Sequence, residues 1–227
     1  MRIQVHLKNI IKDALQLFLS PQRYVWRMKQ VSSLALTFDD GPDPVITPIL
    51  LDILKENQVL CTFFVIGEKA AKYPDIIKRI ATEGHELGNH TYSHKILPSL
   101  SKREIKEEIL KVRSVLFKII GKEINLFRPP QTRMNFFSFW MLNKLNQTVV
   151  LWSICSEDYL DQGINRIFQN VNDRNVQGGD ILLFHDYSDD TKKALPLIIK
   201  NLKNAGFTFC TVSTLLKEAN KILLKNE

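Results

Sequence analysis

The chain has 227 residues, of which 44% are hydrophobic and 24% charged, with a formal net charge of +7. These proportions exclude a disordered chain and suit one large globular domain with a substantial core. No stretch reaches the roughly 20 apolar residues that a bilayer-spanning helix needs, and Lys and Arg alternate with Glu, as in residues 101–108, so the positive surplus reads as solvated helix faces and no nucleic-acid partner is expected.

In chain order, residues 1–30 form the first unit. Val5, Leu7, Ile10, Ile11, Ala14, Leu15, Phe18 and Leu19 recur at helical spacing with Lys8, Lys12 and Asp13 between them, which predicts an amphipathic helical extension. Such a helix closes one end of a domain or lies on a membrane surface, and the nearby Arg23, Arg27, Lys29, Tyr24 and Trp26 suit peripheral membrane contact. An uninterrupted apolar signal core and a small-residue cleavage site are both absent, so a cytoplasmic location, at the inner membrane face, is expected. Cys61, Cys155 and Cys210 are an odd number without a C-x-x-C pair and read as buried thiols.

Residues 31–227 read as one domain of alternating elements. Strand-like runs cover Leu34–Phe38, Cys61–Ile66, Glu86–Asn89, Asn125–Arg128, Thr148–Ser153, Asp180–His185 and Phe207–Thr211. Helix-like runs lie between and after them, at Thr47–Asn57, Lys69–Glu83, Ser101–Ile120, Phe136–Asn146, Gly163–Asn175, Thr191–Ala205 and Ser213–Leu224. Alternation of this kind predicts a parallel sheet, and seven such units suggest an incomplete or distorted barrel. Ser101 with Glu104 is a capping-box pattern, and Gly84, Gly121 and Gly206 stand where helices stop. Asp39, Asp40, His90, Arg128 and His185 all fall at C-terminal strand ends, which in a barrel share one face.

Adjacent carboxylates at Asp39 and Asp40 require a cation, a shared proton or a strong local field. His90 and His94, four residues apart, can converge on one ion, so Asp40, His90 and His94 form a three-ligand set that leaves room for water. Zinc is the default ion for such a set, with nickel, cobalt or manganese compatible with the same ligands.

The hexapeptide Thr37-Phe38-Asp39-Asp40-Gly41-Pro42, the run His90-Thr91-Tyr92-Ser93-His94, Arg128-Pro129-Pro130, Trp152-Ser153 with Asp158-Tyr159, and Leu182-Leu183-Phe184-His185-Asp186 together resemble, in order and spacing, the polysaccharide deacetylases (NodB-homology domains, carbohydrate esterase family 4). The resemblance implies an α/β fold, a deformed (β/α) barrel of seven or eight strands, and a metal-dependent hydrolase that removes N-acetyl groups from amino sugars of a glycan or glycan precursor. It casts Asp39 as general base, Arg128 as the arginine that holds that base ionised, His185 as general acid and Asp158 as its supporting carboxylate. Leu183 would line the pocket for the acetyl methyl, Gln131 would offer a backbone N–H to the oxyanion, and Trp152 and Tyr159 would wall a sugar subsite; Asp186 is read as a helix cap. Two departures stand out. Gln131-Thr132 replaces the aromatic and glycine that usually follow the third motif, and Cys155 replaces a frequent Asp. A glycan-binding module without turnover, or an amidohydrolase for a formylated sugar or a non-sugar amide, are the alternative readings.

Overall fold

Buried, β-branched and aromatic runs pair side by side to build one parallel sheet, and the helices pack on its outer face. A computed structural model describes residues 12–13, 19–20, 23–172 and 176–223. The strands are β1 (Tyr24–Val25), β2 (Ser33–Asp39), β3 (Thr62–Val65), β4 (Glu86–Asn89), β5 (Leu126–Phe127), β6 (Thr148–Val150), β7 (Ile154–Cys155), β8 (Ile181–His185) and β9 (Thr208–Cys210). Their order is β1-β6-β5-β4-β3-β2-β8-β7, with β9 pairing the N-terminal end of β2, and every pairing between them is parallel. This is the deformed (β/α) barrel expected from the sequence.

The helices are α1 (Ile46–Glu56), α2 (Gly67–Lys72), α3 (Pro74–Thr82), α4 (Lys102–Ile120), α5 (Phe136–Lys144), α6 (Ile164–Asn172), α7 (Asp189–Asn204) and α8 (Val212–Leu223). Ser101 and Glu104 make the capping box that starts α4, and Gly121 ends it in the left-handed conformation (φ 67°). The largest core cluster, which includes Leu36, Phe38, Phe63, Leu182 and Phe184 of the central strands, packs against Leu50, Leu54 and Ile198 of α1 and α7.

Three expectations need correction. The run Lys69–Glu83 is two helices, because Pro74 disfavours helical geometry at Tyr73 (φ −124°, ψ 59°) and itself begins α3. The run Thr148–Ser153 is not one strand. After β6 the Leu151 N–H still donates to Val25 O of β1, whereas Ser153 N–H donates to Ile181 O of β8, so Leu151–Ser153 carry the chain from one end of the sheet to the other, where β7 pairs with β8. The proposed extension over residues 1–30 also ends differently: Tyr24–Val25 are a strand on β6, with Tyr24, Val25 and Trp26 buried. Most of the amphipathic helix expected before them lies outside the described residues. Among the described residues no helix is long and apolar enough to cross a membrane.

Candidate active site

Strand register brings the motif residues together. Asp39, the last residue of β2, pairs with His185, the last of β8, while β4 ends at Asn89 just before His90 and β5 ends just before Arg128. Asp39, Asp40, His90, His94, Gln131, Trp152, Tyr159, Leu183 and His185 line one cleft of about 480 Å³, a volume within the usual range for small-molecule sites.

The neighbouring carboxylates are divided between different partners. Asp39 is 4% exposed, and its Oδ1 accepts a hydrogen bond from Arg128 Nη1 at 2.7 Å. The Arg128 guanidinium is fully buried against Phe64, 4.1 Å from the ring centroid, and also donates to Thr37 Oγ1 (2.8 Å), Val150 O (3.1 Å) and Leu151 O (3.3 Å). A rigid fork of five N–H donors suits this role; a lysine ammonium would reach fewer of these acceptors. Burial lowers the Arg128 pKa, and the charge and hydrogen bond of Asp39 offset part of that loss.

Asp40 turns the other way. Its backbone is left-handed (φ 74°), a conformation that Asp tolerates better than most residues, and Lys69 Nζ holds its carbonyl oxygen at 2.7 Å. Asp40 Oδ1 lies 3.2 Å from His90 Nε2 and 3.0 Å from His94 Nε2. His90 Nδ1 lies 2.7 Å from the backbone oxygen of Arg128. A carbonyl only accepts, so Nδ1 is the protonated nitrogen of the metal-binding tautomer, in which Nε2 aims its lone pair at Asp40. Acceptors so placed repel unless a cation lies among them, and the solvent-screened Asp40 Oδ1 receives no well-formed hydrogen bond. Ligand atoms at roughly 2.0–2.2 Å from a tetrahedral ion lie about 3.3 Å apart. Asp40, His90 and His94 therefore fit a divalent metal ion. Asp39 Oδ2 stands 4.0 Å from His90 Nε2, at the edge of this cluster.

The ligand loop is shaped from outside. Thr91 (φ 64°) and His94 (φ 58°) are both left-handed. Glu108 of α4 reaches under the loop: its Oε2 accepts from the N–H groups of Tyr92 (2.7 Å) and Ser93 (2.8 Å), and its Oε1 from Ser93 Oγ (2.6 Å). Sequence reading missed Glu108, because on α4 it is one of several glutamates and only the fold shows which one turns inward. Tyr187, which also lines the cleft, was missed too, and Pro129 and Thr132, read as motif positions without a role, line it as well. Thr37 had a readable signal, a polar residue within an apolar strand.

Across the cleft, His185 Nδ1 lies 2.7 Å from Asp158 Oδ1, and Asp158 Oδ2 accepts from His185 N at 2.8 Å and from Thr191 Oγ1. Burial would lower the His185 pKa, but the hydrogen bond and charge of Asp158 outweigh it and the net shift is upward. For Asp158 burial likewise opposes ionisation and loses to His185 and Thr191, so its pKa is lowered. Tyr159 meets the His185 ring edge-on at 5.5 Å, and Leu183 is nearly buried on the cleft wall.

Asp186 does not cap the next helix; Ser188 does, accepting from Thr191 N. Instead the buried Asp186 carboxyl takes a hydrogen bond from Thr47 Oγ1 (2.7 Å) beside Gly41, where a Cβ would stand 1.8 Å from its Oδ2. Burial pushes its pKa up to about 7. Gln131 and Thr132 keep a left-handed turn without glycine (φ 53° and 56°), at roughly 1–2 kcal/mol per residue. Cys61 and Cys210 are buried thiols as expected, whereas Cys155 is half-buried on the cleft.

Comparison with known proteins agrees with this geometry. Residues 27–150 match the family model described as polysaccharide deacetylase. The chain is 37% identical over 206 residues to a peptidoglycan-N-acetylglucosamine deacetylase of Bacillus cereus, covering 88% of this chain and 96% of that protein. It is 36% identical to the peptidoglycan-N-acetylmuramic acid deacetylase PdaC of Bacillus subtilis over 80% of this chain and 38% of that longer protein. Among solved structures, the Bc1960 peptidoglycan N-acetylglucosamine deacetylase superposes with a TM-score of 0.82 at 35% identity, covering 85% of this chain and 92% of that one. BA3943 of Bacillus anthracis, a pseudoenzyme of carbohydrate esterase family 4, superposes with a TM-score of 0.81 at 25% identity, covering 87% of this chain and 70% of that one. Five motifs meeting in one cleft, on a barrel that these proteins share, place this chain in the polysaccharide deacetylase family.

Proposed function

We propose that this protein is a metal-dependent N-deacetylase acting on the N-acetyl amino sugars of peptidoglycan. The observation that carries the reading is the convergence of Asp40, His90 and His94 on one point, with Asp39 and His185 facing the same cleft, each held by a buried partner of opposite charge. A divalent cation held there, zinc by ligand type, would polarise the amide carbonyl and lower the pKa of a bound water from 15.7 to about 7. Asp39, fixed through one oxygen by Arg128, takes the proton of the attacking water on its other oxygen. His185, which holds its proton more firmly through Asp158, delivers a proton to the departing amine. Leu183 gives the acetyl methyl an apolar seat, and Tyr159 and Trp152 offer ring faces to the sugar. The names of the relatives support peptidoglycan as the substrate class.

The test is acetate release from N-acetylglucosamine oligomers, purified peptidoglycan and lipid-linked precursors, with and without chelator. We expect metal-dependent release by the wild type and none by Asp39→Asn. Release from the precursor alone would support the cytoplasmic site of action expected from the sequence; release from the polymer alone would count against it. A pseudoenzyme in the family makes glycan binding without turnover the second reading. Glycan affinity with no acetate released by either form would establish it.

A further inference from the structure

Helix α5, Phe-Phe-Ser-Phe-Trp-Met-Leu-Asn-Lys, is apolar on nearly every side, a composition normally found in buried helices. Its inner face is accounted for: Ser138, Met141 and Leu142 are buried, and Phe139 packs edge-on against Tyr24. Its outer face is not. Phe136 is 86% exposed, Phe137 41% and Trp140 38%, with Phe137 and Trp140 stacked at 6.2 Å. The surroundings are cationic. From Ile124 to Ser156 the sequence contains no Asp or Glu. Arg133 is exposed before the helix, Lys144 Nζ lies 4.1 Å over the Trp140 ring, and Arg23 reaches the helix through Asn143.

We propose that this face docks the protein on an anionic lipid bilayer. Aromatic side chains flanked by Arg133, Lys144 and Arg23 match the headgroup region of such a surface in both polarity and charge, and Glu123, near the end of the helix, is paired with Arg113. A sugar chain fits less well, because the two amides flanking the aromatic face are already engaged: Asn135 Oδ1 caps the helix, and Asn143 donates to Phe139 O and accepts from Arg23. Thr132 of the cleft is only four residues before Phe136, at most about 14 Å of extended chain. Docking would therefore hold the cleft mouth close to the bilayer. The inference does not depend on the reaction proposed above.

The experiment is sedimentation of the full chain with vesicles of phosphatidylglycerol and phosphatidylcholine, against vesicles of phosphatidylcholine alone. We expect binding to the anionic vesicles that weakens with salt. It should weaken more than tenfold in Phe136→Ser/Trp140→Ser, from the apolar area no longer buried, and roughly fivefold for each of Arg133→Gln and Lys144→Gln. Brominated lipid should quench wild-type fluorescence and spare Trp140→Phe, whose remaining tryptophans are Trp26 and Trp152. A circular dichroism spectrum and melting temperature unchanged from wild type would show the variants folded. Absence of vesicle binding overturns the proposal. So does binding undiminished in the aromatic double variant, or loss of turnover on soluble oligomers in a folded variant that still binds vesicles, which would make the face a glycan subsite.

Discussion

Removing Arg128 tests the link between the buried ion pair and Asp39, the proposed base. Arg128→Met keeps a long apolar stem and deletes every guanidinium donor. It strands the Asp39 carboxylate at 4% exposure and leaves Thr37, Val150 O and Leu151 O without their partner. Losing one member of a buried pair costs roughly 3–5 kcal/mol, because the other charge stays buried and unpaired. At about 2–4 °C per kcal/mol for a chain near this size, the melting temperature should fall by roughly 6–20 °C. Adding Asp39→Asn should recover much of that loss by removing the stranded charge, with a coupling energy on the order of 2 kcal/mol. Arg128→Lys should fall between, since its charge survives but the fork does not. Denaturant unfolding of the four proteins of the cycle, in chelator, measures each term, and acetate release should drop by about 10²–10⁴ in Arg128→Met, the usual contribution of a positioned acid or base. A loss under about 1 kcal/mol, or strict additivity with Asp39→Asn, would refute the argument that this pair is a tightly coupled unit.

Other predictions follow from the same contacts. Glu108→Ala frees the backbone N–H groups of Tyr92 and Ser93 and should weaken metal binding roughly 10–100-fold, with activity rescued at high metal; chelator competition measures it, and unchanged affinity would show that the loop holds its shape alone. Asp158→Asn removes the interaction that raises the His185 pKa, so the alkaline limb of kcat/KM should move to lower pH, and an unmoved limb would remove His185 from the role of acid. The sign for stability follows: the raised His185 makes the pair's contribution full below about pH 6.5 and progressively lost as pH rises through its higher folded value. The depressed Asp158 makes it present above about pH 4 and lost as pH falls through the lower folded value. The gap in melting temperature between wild type and Asp158→Asn should therefore be widest between those limits and narrow on the alkaline side. Gly41→Ala should drive a methyl into the Asp186 carboxyl and lower activity, with partial recovery in Gly41→Ala/Asp186→Ala; full activity of Gly41→Ala would mean that the turn relaxes freely.

The sequence alone determined the barrel and most of its cleft, because both follow from local rules. Apolar strands alternating with amphipathic helices leave a parallel sheet as the consistent solution, and polar residues placed after those strands must share its C-terminal face. Asp39, Asp40, His90, Arg128 and His185 were legible for that reason, His94 from its spacing to His90, and Asp158 only through the family resemblance of its motif. Tertiary structure decided what depends on residues distant in the chain. That Glu108 rather than a neighbouring glutamate cradles the ligand loop depends on how α4 rotates against β4. That Asp186 packs on Gly41 instead of capping α7 depends on the approach of β8 to β2. The passage of Leu151–Ser153 from β1 to β8 depends on curvature that no periodicity records. Hydrophobic patterning specifies which face of an element is buried, but which polar atom meets which is fixed only when the elements pack.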